Sequence, residues 1–177
     1  MFKLPPLPEW SAVHPIVVHL PIGVLAAVPF LLLLAMCFGR INKGIAGATL
    51  ILLIIGAGGC MLATATGDAA ADVAITTEVS DKVLHEHEQL AELTRNIFLI
   101  LAGVYLLILL LATALKDRLK PAGWVFIHLL FFAGYAVGLL ALINTGHLGG
   151  RLVHEYGVRA AIVGEAPTGG AEHDDHD

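Results

Sequence analysis

The chain has 177 residues, of which 57% are hydrophobic and only 14% are charged, whereas about one-quarter of a soluble domain is charged. Its mean hydropathy is +0.81 and its net charge is −5. These values exclude a soluble enzyme, a disordered chain and a nucleic-acid partner.

Four segments contain no charged residue, and each is long enough for the roughly 20 apolar residues of a membrane-spanning helix. They are residues 10–39, 44–67, 96–115 and 121–150. Because the connections are short, we predict an all-α polytopic membrane protein, an antiparallel four-helix transmembrane bundle. The predicted domains are an extended arm over 1–11, a membrane domain over 12–160 and a disordered acidic tail over 161–177. The predicted spans are about 12–38, 44–67, 94–115 and 121–145.

Local signals refine these helices. Ser80, ahead of a long helical pattern, predicts a third helix that begins outside the membrane. Trp10 and Trp124, near the ends of the first and fourth spans, are predicted to be interfacial anchors. Small residues predict close helix contacts; these are Gly56, Gly59, Ala63, Gly134 and Gly138.

The positive charges predict the orientation of the bundle. The two short connections carry five of the ten basic residues, namely Arg40, Lys43, Lys116, Arg118 and Lys120. Since basic loops remain in the cytoplasm, both termini are predicted on the opposite face. We therefore expect a multi-pass protein of the bacterial inner (plasma) membrane with periplasmic N and C termini.

The two cysteines exclude several redox and metal sites. Cys37 and Cys60 are far apart, and no Cys-x-x-Cys motif is present, so a zinc ribbon, a dithiol motif and c-type haem attachment lack their residues. The sequence also offers no hydrolase or transferase motif. Whether the protein is an enzyme stays open, with a redox-associated role as one option.

Histidines are the informative residues, because eight of nine fall on the predicted outer face. Three helices contribute His14, His19, His85, His87, His147 and His154, and the tail contributes His173 and His176. Only His128 is predicted to lie toward the opposite, cytoplasmic end of the bundle. Because a small bundle brings its helix ends together, these side chains can form one site. The alternatives are bonds to backbone carbonyls freed by prolines, a solvated helix face, and a turn after the fourth helix.

Two imidazoles that face each other across a bundle are what haem b requires. We therefore predict haem b near the outer face, for membrane electron transfer. His19 pairs with His85 or His87 as axial ligands in this hypothesis. His14 and His147 form a second pair or bind the haem propionates, and Thr66 and Arg95 line the site.

A non-haem copper, zinc or iron site is the second hypothesis, for metal handling or assembly of a partner complex. Mixed imidazole and carboxylate ligands suit these ions. His85 and Glu88 share a helix face. The proposed ligands are His14, His19, His85, Glu88 and His147. A third hypothesis is a cofactor-free auxiliary subunit or a proton-relay component.

Four motifs carry a family resemblance. They are HPIVVHLPI at residues 14–22, TGD at 66–68, HEHEQLA at 85–91 and HLGGRLVHEYG at 147–157. With them the chain resembles the bacterial four-helix membrane family known as domain of unknown function 2231, over roughly residues 10–160. The resemblance implies a four-helix membrane domain with histidines at these places. Similar domains are joined to cytochrome c modules in some bacterial proteins, which implies a redox setting. Besides the lipid bilayer, the implied partner is a separate cytochrome c or respiratory complex.

Overall fold

The computed structural model describes residues 8–38, 42–115 and 120–159, and these contain helices and no β-strand. A 3-10 turn at Trp10–Ala12 leads into α1 (His14–Val17) and α2 (His19–Cys37). The remaining helices are α3 (Lys43–Ala71), α4 (Glu78–Leu115) and α5 (Pro121–His154).

Some sequence predictions fall outside the described residues. They concern the arm before residue 8, the tail from 161 to 177, and the basic residues Arg40, Lys116 and Arg118.

The predicted all-α fold is confirmed. The α1–α2 run, α3, α4 and α5 are the four helical segments of the described chain that are long and apolar enough to cross a membrane. Each packs against the next along the chain, and α5 returns to pack against α2. This arrangement is consistent with a four-helix membrane bundle. It leaves α2 diagonally opposite α4, and α3 diagonally opposite α5.

Prolines shape the start of the first span. Pro15 lies in the first turn of α1, where its missing N–H loses no intrahelical bond. A break at Val18 separates α1 from α2, and Pro21 follows three residues later without an N–H for the Val17 carbonyl. The first span therefore begins as two short helical pieces, with His14 and His19 each at the start of one.

The third span, α4, begins two residues before the predicted position. The Thr77 hydroxyl accepts a bond from the Ser80 N–H (3.3 Å), and the Ser80 hydroxyl oxygen accepts one from the Thr77 N–H (2.7 Å). This reciprocal pair is a capping box, so Thr77 caps the helix and Ser80 completes its first turn.

The predicted end of the fourth helix near residue 145 was wrong, because α5 continues to His154. The Arg151 guanidinium donates to Glu155 one turn later (2.8 Å), which stabilises the last turn. Gly157 then takes a positive φ of 62°, a conformation that ends helices. His147 therefore lies within a helix and not in a turn.

Glycines allow close contacts at three of the four predicted positions. A Cβ on Gly56 would overlap the Leu25 side chain, and one on Gly59 would lie 3.0 Å from Pro21 Cδ. A Cβ on Gly138 would lie 3.1 Å from a methyl carbon of Ile97. Among the described residues, none lies within 4 Å of that position at Gly134, so the close contact predicted there is not formed.

Trp124 was also predicted wrongly as an interfacial anchor. Its side chain is only 2% exposed, and its ring lies 4.0 Å from the His128 ring, centroid to centroid. The indole therefore packs inside the bundle.

We predict that Gly56→Val destabilises the bundle by about 1–3 kcal/mol, the usual cost of overpacking. The added methyls would collide with Leu25, which is fully buried. Thermal or denaturant unfolding in detergent measures the loss. Gly58→Val is the matched control, since a Cβ there meets nothing within 4 Å. Equal stability of the two variants would contradict the packing described.

Candidate functional site at the histidine end of the bundle

We call the end of the bundle that holds His14, Ala71, Glu78 and His154 the histidine end. It contains an end cavity of about 360 Å³ and a lateral cavity of about 470 Å³. Both volumes lie in the range of about 300–1,000 Å³ typical of small-molecule sites. His14 and His87 line both cavities, so the two cavities adjoin at this histidine pair.

His14 is held by the end of α3. Its Nδ1 lies 3.0 Å from the Ala63 carbonyl oxygen and 3.2 Å from the Thr66 hydroxyl oxygen. Because a carbonyl only accepts hydrogen bonds, Nδ1 carries the proton and donates it. The Thr66 hydroxyl donates to the Leu62 carbonyl (2.9 Å), so its lone pairs are available to the same imidazole.

His87 is held in the same way by α5. Its Nδ1 donates to the Thr145 carbonyl oxygen at 3.0 Å. The Thr145 and Thr94 hydroxyls lie 2.9 Å apart, and the Thr145 hydroxyl donates to the Ala141 carbonyl. Thr94 is 2% exposed, so this contact joins α4 to α5 directly beneath His87.

The two imidazoles share one tautomer. With Nδ1 protonated, the neutral ring of His14 or His87 presents Nε2 as an acceptor. Within residues 8–38, 42–115 and 120–159, neither Nε2 has a hydrogen-bond partner. Since α1 continues into α2, and α2 lies diagonally opposite α4, the rings come from opposite sides of the bundle.

A glycine lies against each imidazole. A Cβ on Gly67 would lie 3.1 Å from His14 Cε1, and a Cβ on Gly149 would lie 3.1 Å from His87 Cε1. These distances are tighter than ordinary van der Waals contact, so a larger residue would push the ring away. Gly67 and Gly149 therefore leave the space that the two rings occupy.

The cavities differ in charge. The end cavity is lined by three carboxylates, those of Asp68, Glu88 and Glu92, together with Arg159. The last described residues fold over it, because the Ile75 N–H donates to the Arg159 carbonyl at 3.3 Å. Among the described residues that line the lateral cavity, none is Lys, Arg, Asp or Glu.

The predicted histidines fall into three groups. His14 and His87 form the pair. His19 is exposed and lines the lateral cavity, with Nδ1 donating to the Pro15 carbonyl at 2.6 Å. His85 and His147 are exposed and line neither cavity, and His85 Nε2 lies 2.9 Å from the Gln89 amide nitrogen.

The other predicted site residues lie around the pair. Thr66 contacts His14 directly. Arg95 donates to the Thr64 hydroxyl (3.3 Å) and lies 3.7 Å from Glu92, so it borders the site through those residues. Glu88 lines the end cavity and is 3.9 Å from His85.

The five predicted metal ligands are not gathered into one cluster. In the part of the chain that the structure describes, no group of three or more His, Cys, Asp or Glu side chains could hold a metal ion. His14 lies at the histidine pair, whereas His85 and His147 are exposed to solvent outside both cavities.

His128 belongs to a separate buried cluster. Its Nδ1 donates to the Trp124 carbonyl (3.1 Å), and its Nε2 lies 3.4 Å from the Tyr105 hydroxyl. Both ring nitrogens therefore have partners within the bundle.

Sequence reasoning did not name Gly67, Thr145 and Gly149 as site residues. Thr145 and Gly149 are four residues apart and so share a helix face, but only if the helix passes residue 145. The early predicted helix end concealed this signal. His154 was predicted on the correct end of the bundle, but not as a residue that lines a cavity.

These features define a four-helix membrane protein with a pair of oriented imidazoles at one end of its bundle. The family model described as "Predicted membrane protein (DUF2231)" matches residues 11–161. The chain belongs to this family, as the sequence motifs predicted. No curated protein and no solved structure matches the chain.

Proposed function

We propose that the protein binds haem b between His14 and His87 and serves in membrane electron transfer. The observation that carries this proposal is the shared orientation of the pair: each Nδ1–H is fixed on a backbone carbonyl, which leaves each Nε2 available. Of the predicted axial ligands, the proposal retains His87 and replaces His19 with His14.

The hydrogen bonds at Nδ1 suit metal ligation. Histidine ligands commonly donate the second ring N–H to a carbonyl, carboxylate or water, which fixes the tautomer and strengthens the ligand. Ala63 and Thr145 supply such carbonyls on α3 and α5. A bound haem would supply reversible one-electron chemistry at its iron.

The number of available ligands favours haem over a bare metal ion. A metal ion held by side chains alone usually takes three or four protein ligands, whereas haem iron needs only axial ones. His14 and His87 offer two such imidazoles, and the cavities that both of them line offer space for a planar group. Gly67 and Gly149 leave room for the two imidazoles themselves.

We expect a Soret band in detergent-purified protein, supplied with haemin if needed. His14→Ala and His87→Ala should each lose or strongly shift it, because each removes one axial nitrogen. Absorption spectra of the oxidised and reduced forms measure this. Addition of free imidazole to His87→Gly should restore the band if the variant has only lost its ligand.

His85→Ala is the matched control and should keep the native spectrum, since His85 is exposed and lines neither cavity. Circular dichroism and gel filtration establish that each variant is folded. A folded wild-type protein without a Soret band, or an unchanged band in His14→Ala, would overturn the proposal.

We also infer the orientation from charge. Lys43 and Lys120 lie at the end opposite the histidine pair. They belong to the two short connections, whose sequences carry five of the ten basic residues. Such residues remain cytoplasmic, which leaves the histidine end on the periplasmic face of a bacterial inner membrane. A separate cytochrome c or respiratory complex would then exchange electrons there.

Cysteine labelling in intact cells tests this orientation. In a background with Cys37→Ala and Cys60→Ala, we expect a membrane-impermeant maleimide to label Glu78→Cys in intact cells. Lys120→Cys should react only after lysis. The reverse pattern would contradict the proposed orientation.

A further inference from the structure

We propose that the lateral cavity binds the ring of a lipid-soluble quinol. This goes beyond the proposed haem, because the quinol ring is placed at the His19 side of the cavity and its binding does not require the haem to be present. His14 and His87, the proposed haem ligands, also line this cavity. The cavity is lined by residues of α1, α2, α3, α4 and α5, and four of its lining side chains are exposed on the surface of the bundle, namely His19, Ile22, Val153 and His154.

The surface position of these residues supports entry from the membrane. Ile22 is 43% exposed and Val153 is 58% exposed, while both also line the cavity. In a membrane bundle, exposed apolar side chains on a spanning helix face lipid. The cavity between α2 and α5 is therefore accessible to a molecule dissolved in the bilayer.

The chemistry of the lining selects an uncharged molecule. The described lining residues include no Lys or Arg that could pair with a phosphate, and no carboxylate that could pair with an amine. A phospholipid headgroup or a charged metabolite would lose its hydration there without a charged partner, which is costly. Apolar walls formed by Val18, Pro21, Ile22 and Leu142 suit a hydrophobic ring.

His19 supplies the polar contact. Its Nδ1 donates to the Pro15 carbonyl at 2.6 Å, so in the neutral ring Nε2 accepts hydrogen bonds. Within the described residues this Nε2 has no hydrogen-bond partner. The cavity carries no charged side chain among the described residues, although other uncharged polar side chains line it, those of His14, Thr64, His87, Thr94, Thr145 and His154. Such a site fits a lipid-soluble molecule that carries a hydroxyl group on a flat ring. A quinol has this combination.

Substitution of a glycine that lines the cavity tests the quinol site without disturbing the fold. Gly146 lines the cavity, and a Cβ there would meet nothing within 4 Å, so Gly146→Leu places a side chain in the cavity without a backbone clash. Gly134 is on the same helix, is equally open and does not line the cavity. Gly134→Leu is therefore the matched control.

The experiment measures binding of a tritiated decyl-substituted benzoquinol to the full chain in phospholipid nanodiscs, under argon. Binding to empty nanodiscs is subtracted, so partition into lipid is removed. We expect saturable binding of about one quinol per chain, lost in Gly146→Leu and retained in Gly134→Leu. His19→Ala should weaken binding about three- to tenfold, as expected for one lost hydrogen bond.

Binding that rises linearly with quinol and never saturates would overturn the proposal, as would full binding in Gly146→Leu. Equal loss in both glycine variants would also overturn it. The Soret band is recorded on the same samples. Quinol binding is measured on haem-free protein before haemin is added and the Soret band afterwards, because the haem would share the cavity. Saturable quinol binding followed by no Soret band refutes the haem alone, and a Soret band after no saturable quinol binding refutes the quinol site alone.

Discussion

Two backbone carbonyls determine the direction of the imidazoles at the histidine end of this bundle. The carbonyls of Ala63 and Thr145 each accept the Nδ1–H of a histidine from a neighbouring helix. A helix interior normally uses its carbonyls for its own ladder, and a second lone pair remains for such a bond. The contact ties α1 to α3 and α4 to α5. It also fixes which nitrogen of His14 and of His87 is available.

The helices must also pack closely for the imidazoles to reach these carbonyls. Gly67 and Gly149 are the residues that let each imidazole lie against the adjacent helix. Further from the histidine end, Gly56 and Gly59 allow α3 to approach α2, and Gly138 allows α5 to approach α4. Lipid gives no hydrophobic drive for helix association, so van der Waals contact of this kind and interhelical hydrogen bonds must supply it. The Thr94–Thr145 contact and the bond from the Tyr135 hydroxyl to the Leu25 carbonyl (2.7 Å) are examples of the latter.

Much of the fold was predictable, because long charge-free segments form membrane-spanning helices, in which the backbone polar groups are hydrogen-bonded within the segment. The site was predictable only in part. Charge and spacing placed His14, His19, His85 and His87 at one end, but periodicity could not decide which of them turn inward. That choice depends on helix rotation, which is set by partners such as Gly67 on another helix. The end of α5 was missed because the glycine-rich stretch at residues 146–150 resembles a turn, whereas in the structure it is helical and α5 continues to His154.

The account rests on the claim that His14 and His87 act together as axial ligands of one iron. X-ray diffraction from crystals of the haem-loaded protein, recorded at the iron absorption edge, tests it most directly. We expect one anomalous peak per chain, about 2 Å from Nε2 of each of the two histidines, as metal–nitrogen bonds require. An iron peak away from this pair, or bonded to only one member of it, would contradict the account.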